Sequence, residues 1–314
     1  MEARRQQVLH LLVEHFIGSN RPIASRDLAK PLGVSSATIR FELAALEEMG
    51  LLHQPHTSAG RVPTRDAYKN YAHQFLPPKP LHEAARARMD AAISRVDGEN
   101  RLRMAAQIAS SLSGYAAVAV LKPRDSKVEA IYLSLLSDDR VLVVVVLEGN
   151  VAREFVIDAG FKPERITLER TEEAVRALRA TVREMPAKLL ILEQQTSPGI
   201  SGVLKALRER WGETVQGVNY SSGASQMLLE PESRDADFLR SVLEMLERPS
   251  SANSSLPPGS VNLSVDDPNG VSAIQVGFRS SVGVGSVAIV GPTRMRYSQA
   301  ISVAKAVSDS LSVA

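Results

Sequence analysis

The sequence predicts an α+β protein with more than one domain. Helical periodicity and short strand-like stretches fill the first 80 residues, and later strand-like runs enclose a charged, Ala- and Leu-rich helical block. The strand-like runs are Tyr115–Leu121, Glu129–Leu136, Arg140–Leu147 and Val261–Val290. Because the helical block lies between sheet-forming portions, we expect one α+β domain with a helical insertion, preceded by a separate N-terminal domain.

Cap and turn residues divide the N-terminal domain into short elements. Ser25 and Ser35 are suitable helix caps, and Gly33 and Gly50 are suitable helix ends. The predicted elements are a helix ending near Gly18, a helix from Ser25 to Pro31–Gly33, a helix from Ser35 to Gly50, a strand over Leu51–Gln54, a turn over Pro55–Gly60, a returning strand over Arg61–Pro63 and a helix from Thr64. Three prolines between residues 77 and 80 disallow helix, so this domain ends at residue 80.

The rest of the chain is expected to begin with helix, which breaks at Asp97-Gly98. Short polar joins such as Ser137–Asp139 predict that the three strand-like runs between residues 115 and 147 form an antiparallel meander. The later predicted helices cover Pro163–Met185, Ile200–Trp211 and Ser298–Ser312.

The composition is that of a globular protein without thiol chemistry. Hydrophobic residues make up 44% and charged residues 23% of the 314 residues, enough for two or three packed domains. The absence of cysteine excludes disulfides, thiolate metal sites and cysteine nucleophiles. The longest apolar run, Val141–Leu147, is far shorter than the roughly 20 residues of a membrane span. Since the N-terminus is also unlike a signal peptide, we expect a cytoplasmic protein with no membrane partner.

Residues 25–50 have the pattern of a helix-turn-helix. Gly33 supplies the positive φ that the tight turn requires, and Val34 fills the angle between the two helices. The residues predicted to face inward are Ile39, Leu43 and Leu46, and those predicted to face outward are Ala37, Phe41 and Ala44, with Thr38 and Arg40 beside them. The first two turns of such a second helix enter the DNA major groove. The alternative is an ordinary helical hairpin whose outer face is merely solvated.

The outward face carries side chains suited to double-stranded DNA. Arg40 is expected to form a bidentate contact with guanine, and Ala37 or Phe41 to touch a thymine methyl group. Serines at the helix start suit phosphates, and the hairpin after the helix is expected to form a wing on the backbone or minor groove. The candidate DNA-contacting residues are Ser25, Ser35, Ser36, Ala37, Thr38, Arg40, Phe41, His56, Ser58, Arg61 and Arg65. The formal net charge is only +2, but residues 1–80 hold ten Lys or Arg against seven Asp or Glu.

Two stretches resemble a known family. SSATIRFELAALEEMGLLHQPHTSAGRVPT, residues 35–64, resembles the winged-helix signature of the heat-inducible transcription repressor HrcA family, and GSVAIVGPTRMRY, residues 285–297, resembles its C-terminal motif. One departure is Phe41, where the family usually has asparagine. The resemblance implies a non-enzymatic cytoplasmic homodimer that binds an inverted-repeat CIRCE operator before chaperone operons and is modulated by the GroEL chaperonin.

The resemblance also implies the domain layout. The expected parts are a winged helix-turn-helix (1–80), a helical linker (81–104), the first part of a GAF-like domain (105–160), an inserted dimerisation domain (161–217) and the second part of the GAF-like domain (218–314). A rival interpretation is a metabolite-sensing regulator whose GAF-like pocket binds a small ligand.

Other functional sites are less well supported by the residues. His53 and His56 lie three apart without further metal ligands, so no metal is expected. The glycines at 283, 285 and 291 interrupt strands rather than open a helix, which disfavours a dinucleotide cofactor. Thr293, Arg294 and Arg296 fit either an anion or nearby carbonyls, and the serines at 221–225 have no neighbouring histidine to activate them. We therefore expect no catalytic residues and no cofactor.

Overall fold

Helices and strands alternate along the computed structural model, which describes residues 2–56, 59–97, 99–123, 125–148, 151–212, 218–247, 256–265, 268–281 and 283–312. Its helices are α1 Glu2–Ser19, α2 Ser25–Leu32, α3 Ser36–Glu48, α4 Arg65–His73, α5 Glu83–Ser94, α6 Glu99–Ser113, α7 Arg165–Ala177, α8 Met185–Gln195, α9 Pro198–Arg210, α10 Ala236–Glu247 and α11 Tyr297–Ser312. Its strands are β1 Leu52–His53, β2 Val62–Pro63, β3 Ala116–Pro123, β4 Val128–Leu135, β5 Arg140–Leu147, β6 Val151–Asp158, β7 Val218–Ser222, β8 Val261–Ser264, β9 Val271–Ser280 and β10 Gly283–Pro292.

The N-terminal elements follow the predicted order. Three helices precede an antiparallel hairpin in which Leu52 faces Pro63, and α4 follows at once. The side chain of Thr64 caps α4 by accepting a hydrogen bond from the Ala67 N–H, 3.4 Å away. The same hydroxyl donates to the Gly50 carbonyl at 2.8 Å, so α4 is tied to the end of α3. The predicted helix-turn-helix followed by a hairpin is confirmed.

The first compact unit contains a five-stranded sheet covered by helices. It comprises Met1–Val120, Asn219–Phe278 and Gly285–Val313, and its strand order is β7-β3-β10-β9-β8. Helix α11 contacts α5 and α6, and the Ser308 hydroxyl on α11 donates to the Gly277 carbonyl on β9 at 2.8 Å. The core of this unit therefore lies between the sheet and α11.

The second compact unit comprises Leu121–Val218 and Arg279–Val284. Strands β4, β5 and β6 form an antiparallel meander. Buried and partly exposed side chains alternate along β5, because successive residues of a strand point to opposite faces. The buried face shares one apolar core with α7, α8 and α9. Trp211 is in this core, and its indole N–H donates to the Val182 carbonyl at 2.8 Å.

The predicted composition of the meander is wrong. The run Tyr115–Leu121 was expected to pair with the next run, but β3 lies between β7 and β10 in the five-stranded sheet. The third strand of the meander is β6, which follows β5 rather than preceding β4. The physical reason is that β3 pairs with strands more than 90 residues away in the sequence, and local alternation of apolar residues carries no information about such partners.

The helical block belongs to a larger compact unit, and has shorter helices, than the sequence predicts. The compact unit begins at Leu121 instead of residue 161, because β4–β6 share the core of α7–α9. The single predicted helix Pro163–Met185 is interrupted after α7, where Arg179 has a φ of 44°, outside the helical range. Thr181 then forms a bridge with Lys127, and α8 begins at Met185. The assignments of a GAF-like and a dimerisation domain remain predictions.

Candidate nucleic-acid interface

The turn between α2 and α3 fixes the start of the second helix. Gly33 has a φ of 64°, a left-handed conformation that glycine adopts without a side-chain penalty. The Val34 N–H donates to the Ala29 carbonyl at 3.1 Å and closes the turn. Ser35 caps α3, since its hydroxyl oxygen accepts a hydrogen bond from the Thr38 N–H at 3.0 Å. The N-terminus of α3 is therefore held in one geometry.

The prediction that Ser25 caps α2 is wrong: the N-cap is Ala24, and Ser25 is the first residue of the helix. Its hydroxyl instead bonds to that of Ser36, at the start of α3. The two hydroxyl oxygens are 2.9 Å apart and both residues are half-buried. A serine hydroxyl has one donor and two acceptor sites, so the serine that accepts this bond keeps its own hydrogen for another acceptor. The pair joins the two helices, and one hydroxyl still has a hydrogen for a phosphate oxygen.

The inner face of α3 determines how the helix is rotated. The predicted inward residues Ile39, Leu43 and Leu46 are all buried. Glu42 is also buried, with only 3% of its side chain exposed, and its Oε2 lies 3.1 Å from the Arg5 Nε on α1. A carboxylate in such a place requires a partner, so the ion pair and the apolar contacts together hold this face inward.

The outer face of α3 is exposed, as the sequence predicted. Ala37, Arg40, Phe41 and Ala44 are all exposed, and Phe41 leaves 65% of its surface open to solvent. Thr38 is half-buried and its hydroxyl lies 2.8 Å from that of Ser35. The first two turns of α3 thus present one cation and a mainly apolar stripe.

The wing is only partly described. The hairpin β1–β2 continues into a bridge between Ile23 and Arg61, and His56 is exposed near its tip. Ser58 lies outside the described residues. The Arg61 Nη2 is 2.9 Å from the Glu47 Oε2, and 20% of the Arg61 side chain is exposed. This guanidinium is therefore already paired with a carboxylate on α3, and a phosphate contact would have to compete with that pair.

Arg65 lies apart from the other candidate DNA-contacting residues. It begins α4, and its Nη2 donates to the Pro268 carbonyl at 2.9 Å. The structure thus brings together the candidates of α2, α3 and their turn. Arg65 is instead bonded to a part of the same compact unit that is about 200 residues later in the sequence.

Two features of this surface were missed by the sequence reasoning. Arg26 and Lys30 are exposed on α2, the helix that crosses the DNA backbone in a helix-turn-helix. The excess of Lys and Arg in residues 1–80 was the available signal. The buried Glu42 was also missed, although it occupies the same helical face as Ile39 and Leu46 and periodicity would have placed it inward.

The C-terminal motif is built into the protein interior. Arg294 places its Nε 2.6 Å from Glu232 and its Nη2 2.5 Å from Glu230. Burial lowers the pKa of Arg294, but the bonds to these two carboxylates outweigh it and leave the pKa raised. Burial also raises the pKa of the nearby Tyr68 and Tyr297. The sequence left an anion or nearby carbonyls as alternatives for Arg294, and the observed partners are two carboxylate side chains of the same chain.

Among the described residues there is neither a metal-binding cluster nor a membrane-spanning helix. Across the described ranges there is no group of three or more His, Cys, Asp or Glu residues that could hold a metal ion. No helix in the part of the chain that the structure describes is long and apolar enough to cross a membrane.

A capped second helix, an exposed outer stripe and a following hairpin together define a winged-helix DNA-binding protein. Comparison with family models agrees with this class of protein and identifies the family. Residues 1–76 match the model "Winged helix-turn-helix transcription repressor, HrcA DNA-binding", and residues 99–301 match "HrcA protein C terminal domain". The chain belongs to the HrcA family of heat-inducible transcription repressors. Transcription repression is a non-enzymatic role.

Individual relatives match nearly end to end. The chain is 31% identical to the heat-inducible transcription repressor HrcA of Brevibacillus brevis, covering 98% of this chain and 96% of the relative. The HrcA of Moorella thermoacetica is also 31% identical, with 99% and 97% covered. A crystal structure of a hypothetical protein matches with a TM-score of 0.64 and 21% identity over 98% of this chain and 97% of that one. That similarity supports the fold.

Proposed function

We propose that the chain acts in the cytoplasm as a homodimeric repressor of chaperone operons, binding an inverted-repeat operator of the CIRCE type. The observation that carries the proposal is the exposed stripe on the first two turns of α3, because these turns are the part of a winged helix that enters the major groove. Arg40 gives this stripe a donor for guanine, and the Ser35 cap holds the helix start near the phosphates.

The operator contact is tested by footprinting the full chain on DNA from upstream of its own chaperone genes. We expect protection of two half-sites related by a two-fold axis. DNA with one half-site scrambled is the control, and its affinity should fall because only one recognition helix remains engaged. Equal affinity for intact and fully scrambled DNA would reject sequence-specific repression.

The dimer contact is proposed to lie in the second compact unit. Its α8 buries Met185 and Leu189 on one side yet leaves Leu190 46% and Ile191 56% exposed on another. Ile166 on α7 is 48% exposed as well. Large exposed apolar side chains are typical of protein interfaces, and a symmetric dimer uses the same patch on both copies.

The dimer interface is tested by sedimentation of a Leu190→Asp/Ile191→Asp double variant, which we expect to be monomeric. The matched control is Leu228→Asp/Leu229→Asp, which makes the same changes in an exposed leucine pair of the first unit. Dissociation by the control pair and not by the α8 pair would move the interface to the first unit.

Control by the GroEL chaperonin is proposed from the family resemblance and from the topology. Strands β3 and β10 are neighbours in one sheet although more than 150 residues separate them. Such non-local pairing folds slowly and exposes strand edges during folding. We expect heated and cooled chain to recover operator binding better with chaperonin and ATP than without. Complete, equal recovery in both would reject chaperonin control.

A metabolite sensor is the second candidate, and a groove of suitable size supports it, although most of its lining lies outside the expected GAF-like parts. A groove of about 550 Å³ is lined by residues of α1, α4 and the start of α11, and by Lys79 and His82. This volume is within the range of small-ligand pockets, roughly 300 to 1,000 Å³. A thermal-shift screen with cell metabolites separates the candidates, since a signalling ligand should raise the melting temperature and change operator affinity together.

A further inference from the structure

Phe41 is a large apolar side chain placed where DNA is expected. It is 65% exposed, and leaving such a side chain in water forfeits the stabilisation that burial would give. It lies one turn after Ala37 and just before Ala44, both exposed, so the outer stripe of α3 has small residues on each side of one aromatic ring. The small neighbours allow the helix backbone to approach a flat surface closely.

Phe41 has little freedom to turn inward. Its neighbour Glu42 is buried and paired with Arg5 at 3.1 Å, and Ile39 and Leu43 on either side are buried in the domain core. Rotating α3 far enough to cover the ring would expose these apolar residues and pull the carboxylate from its partner. The exposure of Phe41 is therefore imposed by the packing of the rest of the helix.

The chemistry of the ring restricts what it can recognise in the major groove. Phenylalanine has no hydrogen-bond donor or acceptor, so it cannot pair with the N7, O6, N6, N4 or O4 groups of the bases. The apolar group on the major-groove edge is the C5 methyl of thymine. The adjacent Arg40 retains the donors for a guanine, so the two residues read different features of neighbouring bases.

We propose that Phe41 is a specificity-determining residue that reads the C5 methyl group of one thymine in each operator half-site. The proposal rests on the proposed operator binding and names the base feature that the exposed stripe selects. It makes the operator preference of this chain sensitive to a single methyl group at one symmetric position.

The test replaces each operator thymine in turn by deoxyuridine in both half-sites, which removes only the methyl group. At one symmetric position the wild-type chain should lose affinity by about fourfold per methyl, or about 16-fold for both, from the usual gain on burying one methylene-sized group. Phe41→Ala should bind the two DNAs equally. Met49→Ala is the matched control, since Met49 is also exposed, at 59%, but lies at the far end of α3, and it should keep the discrimination.

A second variant gives a positive readout. Phe41→Asn introduces an amide that can bond to the N6 and N7 of adenine, so the preferred base at that position should change from thymine to adenine on the contacted strand. Circular dichroism checks that each variant is folded, and Phe41→Leu, which keeps an apolar side chain, should retain part of the methyl sensitivity.

The outcomes separate this proposal from the proposed function. If the wild-type chain binds its operator but no thymine-to-deoxyuridine change affects it, the methyl reading is overturned and operator binding stands. If the wild-type chain binds no operator at all, the proposed function fails first. If Phe41→Ala keeps the wild-type discrimination between the thymine and deoxyuridine operators, another residue reads the methyl group and the proposal is overturned.

Discussion

Removing Arg5 should destabilise the N-terminal domain far more than removing its neighbour Arg4. Arg5 keeps 29% of its side chain exposed, but its partner Glu42 keeps only 3%, and the two are joined by a 3.1 Å contact between Nε and Oε2. Arg5→Ala would therefore leave a buried carboxylate without its cation. Arg4 is exposed on the same helix, and Arg4→Ala removes the same charge without that consequence.

The expected magnitude follows from the burial of the two partners. Breaking a fully buried ion pair costs about 3 to 5 kcal/mol, because the remaining charge is uncompensated. Since Arg5 is partly exposed, solvent screens the pair, and we expect about 2 to 3 kcal/mol for Arg5→Ala. Because these residues belong to the first compact unit, and that unit has roughly 200 residues, about 1 kcal/mol lowers its melting temperature by roughly 2 to 4 °C. Arg4→Ala should stay within about 0.5 kcal/mol of wild type.

The sole tryptophan makes the assay specific. Trp211 is buried in the second compact unit, so its fluorescence follows that unit, whereas far-UV circular dichroism also follows the N-terminal helices. Arg5→Ala should produce an earlier transition by circular dichroism with little change in the fluorescence transition. Glu42→Gln in the Arg5→Ala background removes the stranded charge and should restore part of the stability. Equal melting of Arg5→Ala and Arg4→Ala would refute the reasoning.

The remaining predictions concern DNA binding. Arg40→Ala should weaken specific operator binding by roughly 1 to 3 kcal/mol and relax the base preference at one symmetric position. The measurement is a titration against operators with single-base changes. An unchanged base preference would show that Arg40 does not contact a base. Arg61→Ala should weaken binding to all DNA sequences alike. It should also reduce the slope of log affinity against log salt concentration by about 0.9 for each phosphate that the guanidinium neutralises in the wild-type complex. An unchanged slope would show that Arg61 contacts no phosphate and serves only in its ion pair with Glu47. Gly60→Ala would place a Cβ 2.3 Å from the Ile23 carbonyl oxygen, so the wing must shift and operator affinity should fall in gel-shift titration; full affinity would show that the wing position is unimportant.

The sequence predicted the helix-turn-helix well because its determinants are local. The capping Ser35 bonds to a residue three positions later, Gly33 acts at its own φ, and the inward positions recur at helical spacing. Each of these can be read from a short window. The exposure of Phe41 was predicted for the same reason, since it follows from the residues on either side.

Contacts between distant segments could not be predicted in this way. Helical spacing places Glu42 on the inward face of α3, but no local pattern identifies its partner, 37 residues earlier on α1. The role of Arg61 likewise depends on Glu47 across the domain. The same limit explains the wrong meander, because the run that became β3 has a strand-like pattern but its partners are β7 and β10. Local patterns establish the elements, and long-range pairing establishes their neighbours.

The two family-like stretches lie at opposite ends of the chain, but helix α4, which follows the first, contacts the start of α11, which ends the second. Helix α4 directly follows the first stretch, and its Tyr71 ring packs edge-on against Tyr297, the last residue of the second stretch, with ring centres 6.4 Å apart. The hydroxyl of Tyr297 donates to the Thr293 carbonyl at 2.8 Å, and Arg65 at the start of α4 donates to the Pro268 carbonyl. The ring contact and the Arg65 bond connect α4 to the rest of the unit, and α4 is tied through Thr64 to the end of α3. The orientation of the DNA-facing helix therefore depends on residues almost 250 positions away, which the second stretch supplies.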